Sequence, residues 1–154
     1  MTQSIEETET IGILLSDVTR LFWRRLEGAM RADGCDLTAG EARVLVTVAR
    51  AGGLRQSALA ERLFIEPMTL VGFLDRLERH GHVERLVDAT DRRAKLVRAT
   101  ELGDTLAGKV KALATAVRAE VTADLDASEI AALRQSLFKI RMTLSGSPEP
   151  RSLP

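Results

Sequence analysis

The side chains with the strongest chemical character cluster between positions 79 and 98. His80 and His82 flank Gly81 beside Arg79. A structural zinc site takes about four ligands. No others stand at metal-ligand spacing, so these two read as polar turn residues. Downstream, Arg85, Arg92, Arg93, Lys95 and Arg98 are opposed by only Asp88 and Asp91, a local net charge of +3. A cation cluster of this kind attracts phosphate and a narrow minor groove. The chain carries no glycine-rich phosphate loop, nucleophile elbow or paired-histidine zinc motif. No catalytic constellation, metal or cofactor is expected, and the chemistry points to binding rather than catalysis.

Those cations need a support. Val83–Val87 and Lys95–Ala99 are rich in Val and Leu with polar residues between them, which predicts two short strands around a loop. Upstream lie two amphipathic segments, residues 56–63 and 67–79, separated by a turn. In the second, Leu70, Phe73, Leu74 and Leu77 share one helix face and must be buried. The opposite face carries Met68, Gly72, Asp75 and Arg79, flanked by Thr69, Val71 and Arg76. It is polar and small enough for close approach to another surface. Pro67 suits the first helical turn. The free N–H groups and positive dipole end there favour a phosphate. Each segment alone reads as an ordinary surface helix, and the basic run alone as a solvated turn. Their order, with Gly81 as a helix stop, predicts a helix-turn-helix followed by a β-wing. Pro67, Met68, Thr69, Gly72 and Arg76 are then the expected major-groove residues. Arg93, with Arg92 beside it, is expected in the adjacent minor groove of double-stranded DNA.

These residues give the chain a resemblance to the MarR family of bacterial transcriptional regulators. Leu59-Ala60-Glu61-Arg62-Leu63, Thr69, Leu74-Asp75-Arg76-Leu77-Glu78 and Gly81 carry it. So do Val83-Glu84-Arg85, Asp91-Arg92-Arg93 and Thr100-Glu101-Leu102-Gly103. They follow the pattern L-A-x-x-L, T, L-x-x-L-E-x-x-G-x-V-x-R, D-x-R and L-T-x-x-G, specifically over residues 37–103. The resemblance implies a homodimeric winged-helix protein that binds pseudo-palindromic DNA and is released by a small ligand. By the same match Arg93 is the wing-tip arginine, and Arg85 with Asp91 forms an ion pair that braces the wing. Two departures stand out. Ala99 replaces the usual Leu. Arg55 occupies a position where Ser or Thr often caps the first helix of the motif.

The remaining segments read as scaffold. Ile11, Leu14, Leu15, Val18, Leu21, Phe22 and Leu26 recur at helical steps through residue 32. Thr38 and Glu41 form a capping-box pattern that opens a helix running to Arg50, with Ala42, Leu45, Val46 and Ala49 inward. Leu54-Arg55 is expected as a very short strand against the wing. Thr100 caps a long helix with a stripe of Leu102, Leu106, Val110, Leu113, Val117 and Val121. Asp126 and Glu129 repeat the capping box before a last helix whose inner face is Ile130, Leu133, Leu137, Ile140 and Leu144. A chain of 154 residues has few places to bury such stripes, so pairing with a second copy is expected. The expected organisation is a mostly α fold. Residues 1–36 form a dimerisation helix, 37–100 the winged domain, 101–145 further dimerisation helices, and 146–154 a disordered proline-containing tail.

With 22 basic and 22 acidic residues, the whole chain is neutral. DNA binding must therefore come from a one-sided distribution of charge. Residues 1–36 hold four basic and seven acidic side chains, whereas the wing is positive. The start is polar, and no apolar run approaches membrane-spanning length, so a cytoplasmic protein with no membrane partner is expected. The one cysteine, Cys35, reads as a small buried residue; peroxide sensing is the sharper alternative. A pocket for a small aromatic or phenolic effector is expected near Trp23, Leu26, Met30 and Leu45. The competing functional class is a helical adaptor that uses the winged fold to bind protein.

Overall fold

The structure is a computed structural model that describes residues 10–88, 90–91 and 93–146. Arg92 and the tail beyond Gly146 therefore lie outside the described residues. Six helices and three strands are present among them: α1 (Ile11–Ala32), α2 (Ala39–Ala51), β1 (Leu54–Arg55), α3 (Gln56–Leu63), α4 (Pro67–Arg79), β2 (Val83–Val87), β3 (Lys95–Ala99), α5 (Glu101–Val121) and α6 (Ala127–Leu144). The strands form one antiparallel sheet in the order β1-β3-β2. Leu54 pairs with Val97, and Arg85 lies opposite the same residue on the other side. The short strand expected at Leu54-Arg55 is therefore real. It ties the start of the helix-turn-helix to the wing.

Local chemistry sets the element ends. Thr38 Oγ1 accepts from the Glu41 amide, and a Glu41 carboxylate oxygen accepts from the Thr38 amide at 2.9 Å, closing the capping box of α2. Asp126 and Glu129 do the same for α6. Thr100 Oγ1 accepts from the Gly103 amide and donates to the Gly81 carbonyl, so one hydroxyl joins the start of α5 to the turn after α4. Gly81 takes φ +73°, a conformation that disfavours any residue with a Cβ. Phe64 adopts φ 52° between α3 and α4, the one non-glycine residue at positive φ among the described residues, and it is largely exposed.

The chain divides into a compact unit through Val117 and a second unit from Arg118. Two apolar clusters fill the first. The larger joins Leu45 and Val48 of α2, Leu59 of α3, Leu70, Leu74 and Leu77 of α4, and Val83 and Val97 of the wing strands. The smaller joins Leu26 and Met30 of α1, Ala42 of α2, and Val110 and Val117 of α5. Through this smaller cluster α1 and α5 share a core with α2. In the second unit, no residue of α6 is buried within the chain.

The stripe expected on α5 is displaced. Gly103, Ala107, Val110 and Val117 are the buried positions, whereas Leu102 and Val121 are exposed. The cause is the approach of the helix start to the turn after α4. A Cβ on Gly103 would lie 2.9 Å from the His82 carbonyl carbon and closer still to its oxygen. Only glycine can face that backbone, so Gly103 sets the rotation of α5 and turns Leu102 outward. A second tight approach joins α2 to α4, where a Cβ on Gly40 would overlap the Phe73 ring.

Gly103→Ala is expected to destabilise the fold by about 1–3 kcal/mol, the scale of an overpacked site. Gly108→Ala, at a position of α5 with nothing within 4 Å of the added carbon, is expected to be neutral or stabilising by up to about 1 kcal/mol. Denaturant titration of the two variants separates them. Equal stability would disprove the steric account.

Candidate nucleic-acid interface

Helix α4 presents the face expected for groove entry. Leu70, Leu74 and Leu77 are fully buried beneath it. Pro67, Met68, Thr69 and Gly72 are exposed, Met68 at 81%. A Cβ on Gly72 would meet nothing within 4 Å, so the helix backbone is accessible there. Glu66, at the N-cap, makes no capping bond. The first-turn N–H groups and the positive dipole end are thus left without a side-chain acceptor.

Arg76 departs from expectation. Its guanidinium turns back to the scaffold. It donates to the Asp36 backbone carbonyl at 3.0 Å, lies 3.4 Å from Asp36 Oδ2, and lies 3.3 Å from Glu41 Oε1. Glu41 is 97% buried and already serves the α2 capping box. A carboxylate that far from water needs a cation, and Arg76 supplies it. Arg76 therefore links α4 to α2.

The wing brace also differs. Arg85 does not pair with Asp91. Its guanidinium donates to Asp75 Oδ1 at 2.6 Å and to one carboxylate oxygen of Glu78 on α4, with Nε donating to Oε2 at 3.0 Å and Nη2 to the same oxygen. The Arg85 amide adds a bond to Glu78 Oε1 at 3.1 Å. Hydrogen bonding from Arg85 holds the Glu78 carboxyl below its ordinary range, and Glu78 raises Arg85 in turn. β2 follows α4 after a short turn, which places Arg85 within reach of the carboxylates one helical turn apart. Asp91 instead shapes the loop, accepting from the Arg93 amide at 3.0 Å.

A further residue, Arg55, enters here that the sequence reading did not assign to the site. Although it occupies the N-cap of α3, it makes no capping bond. Nε donates to Asp88 Oδ2 at 2.7 Å and Nη2 to Thr90 Oγ1 at 3.1 Å. Asp88 Oδ1 accepts from the Thr90 amide and hydroxyl at 2.8 and 2.6 Å. Thr90 foremost, and then Arg55, hold the Asp88 carboxyl far below its ordinary range. The departure of Arg55 from a small capping residue was the sequence signal for this contact. Arg55, Ser57, Pro67, Arg93 and Lys95 line one cleft of about 330 Å³. It brings three cations together with the starts of α3 and α4. Arg93 is exposed at the turn of the hairpin.

The four residues expected at an effector pocket fall in two core clusters. Leu26 and Met30 are packed in the smaller core cluster, with Trp23 at its edge under the Arg43 guanidinium, 5.7 Å from the ring centroid. Leu45 is fully buried in the other cluster. Cys35 is only partly buried. It borders a smaller cleft of about 260 Å³ with Leu37, Arg76, His80, His82 and Leu106. His80 Nδ1 lies 2.8 Å from the Arg76 carbonyl, whereas His82 Nδ1 is buried without a partner. Among the described residues, no three His, Cys, Asp or Glu side chains group as a metal site.

Burial first, and then the neighbouring His80, lowers the pKa of His82 below 6.5. A histidine depressed on folding stabilises the fold above its unfolded pKa and loses that contribution as pH falls through the folded value. Stability is thus expected to fall between pH 7.5 and pH 5.5, and His82→Phe to flatten that dependence. Denaturant titrations at the two pH values test this; an unchanged slope would discard the assignment. Arg85→Ala leaves two carboxylates of α4 facing each other without their cation. It is expected to lower stability by about 1–3 kcal/mol, read by the same titration. Asp91→Ala is expected to leave stability within about 0.5 kcal/mol.

The MarR family model matches residues 37–95. The apo form of wild-type MarR from E. coli is 30% identical, with 87% of this chain and 98% of that one covered and a TM-score of 0.73. A mutant of the same protein complexed with operator DNA is 30% identical over 84% of this chain and 92% of that one, with a TM-score of 0.77. CouR from Rhodococcus jostii RHA1, bound to p-coumaroyl-CoA, is 26% identical over 96% and 97%, with a TM-score of 0.76.

Proposed function

The chain belongs to the MarR family of transcriptional regulators, and on that footing we propose that it is a repressor that binds a pseudo-palindromic operator as a homodimer. The observation that carries this reading is the shared cleft. The uncapped starts of α3 and α4, and the cations Arg93 and Lys95, converge on one surface next to the exposed face of α4. Phosphate contacts fix register there, and base-edge contacts select sequence. Pro67, Met68, Thr69 and Gly72 lie along a major groove, and Arg93 enters the adjacent minor groove. Arg92 joins it in this proposal, although it lies outside the described residues. The E. coli relative complexed with operator DNA supports the DNA-binding part of this reading.

Two copies are needed to read two half-sites. The apolar residues of α6, Leu133, Leu137, Phe138 and Leu144, are 40–81% exposed in the single chain. Ile11, Val18 and Leu21 of α1 are likewise exposed. Paired subunits would cover such stripes. Two-fold symmetry then spaces the recognition helices about one turn of DNA apart, ~10 base pairs or a multiple.

Release by a small aromatic ligand is the regulatory part of the proposal, supported by the acyl-CoA complex of the Rhodococcus relative. A ligand shifts the spacing of two recognition helices only if it binds the spread and closed states unequally. No helix among the described residues is long and apolar enough to cross a membrane.

Selection of duplexes from a random pool is expected to return paired half-sites, and light scattering to give twice the chain mass. Arg93→Ala is expected to weaken the selected duplex by about 1–3 kcal/mol at fixed salt. Unchanged affinity would remove Arg93 from the interface, and a monomer that selects no duplex would end the reading.

A further inference from the structure

The hairpin that carries Arg93 is anchored at two levels. At its base, Arg85 fastens β2 to Asp75 and Glu78 of α4. At its loop, one guanidinium from the far edge of the sheet takes hold of both Asp88 and Thr90. Arg55 precedes these partners by 33 and 35 positions, so the contact joins elements that would otherwise share only the short β1–β3 ladder. Asp88 is fully engaged. One carboxylate oxygen faces Arg55, and the other accepts both the amide and the hydroxyl of Thr90. The Asp88 amide also donates to the Ala94 carbonyl across the loop, next to Arg93. Arg55 has given up its ordinary task for this. At the N-cap of α3 it makes no capping bond, so the helix start is left open to the solvent side of the same cleft.

We infer that the Arg55–Asp88–Thr90 contact is a positioning device that fixes the reach of the Arg93 loop relative to α4, and with it the register of the wing on DNA. This rests on the DNA-binding reading above. Its physical content is preorganisation. A loop of exposed polar residues samples many arrangements, and binding DNA with it costs that freedom unless the loop is already held. A forked guanidinium suits the task, because Nε and Nη2 are separate donors held in one plane, whereas a lysine ammonium is a compact point charge on a flexible stem.

The inference makes a prediction of unusual sign. Removing an acidic side chain from a DNA-facing loop ordinarily tightens binding, because one repulsive charge next to phosphate is gone. Here Asp88→Ala is expected to weaken binding to the selected duplex by about tenfold, the scale of one lost specific contact. Arg55→Ala is expected to do the same, the double variant to be no weaker than either single one, and Arg55→Lys to give no rescue. Arg55 is exposed and Asp88 partly covered at the surface of the loop, so the unfolding temperature of each variant is expected to stay close to that of the unaltered chain. Equal or tighter binding by Asp88→Ala overturns the inference. So does full activity of Arg55→Lys with a salt slope reduced by about 1 in Arg55→Ala, which is the signature of a direct phosphate contact. Weakened binding matched by a lowered unfolding temperature overturns it as well. Arg93→Ala runs alongside as the control. If it weakens binding while Asp88→Ala does not, only the positioning role fails; if neither variant changes binding, the wing reading fails with it.

Discussion

The relation between helix α4 and the wing depends on Arg85. Its guanidinium lies between two carboxylates on successive turns of α4, while its backbone sits in the middle of β2. One residue therefore belongs to both reading elements. The pair is partly buried, and its geometry is charge-assisted and forked, which makes it stronger than an ordinary surface ion pair. Everything that follows in the chain, from β2 through the loop to β3 and the start of α5, takes its place from that point. Thr100 then returns the chain to Gly81, closing a ring of contacts around the end of α4.

This arrangement also explains how a neutral chain can offer a cationic surface. Five acidic side chains near α4 and the wing are engaged by arginines. Asp75 and Glu78 hold Arg85, Asp88 holds Arg55, and Asp36 and Glu41 hold Arg76. Among the described residues, what remains exposed at the wing is mostly cationic, Arg93, Lys95 and Arg98 against Asp91. Net charge counts every group equally, whereas a phosphate at the surface responds to those that are near and uncompensated.

The sequence makes the elements legible because their causes are local. Capping residues, apolar steps of three and four, and the Val-rich strands place α1, α2, α4 and both wing strands close to where they occur. Side-chain partners were harder to read. Arg76 and Arg85 were assigned from their neighbours in sequence or from family resemblance. Yet each has long, flexible reach and settles on the carboxylates that folding brings near, as far as 40 positions away. Arg55 was visible only as a departure from pattern, with nothing in its own neighbourhood to name Asp88. The α5 stripe misled for a different reason. Hydrophobicity alone favoured Leu102, but the steric demand of one backbone contact at Gly103 outweighs it. Likewise, large apolar residues such as Leu26, Met30 and Leu45 look the same in a sequence whether they line a cavity or fill it.

The close packing of Gly40 against Phe73 has a mechanical corollary. With the ring lodged against bare backbone, α4 has no room to roll about its own axis or to slide along α2 without unseating an aromatic side chain. Any reorientation of α4 against α2 must therefore pass through a change in the rotamer of Phe73, which makes that ring the latch between the two helices.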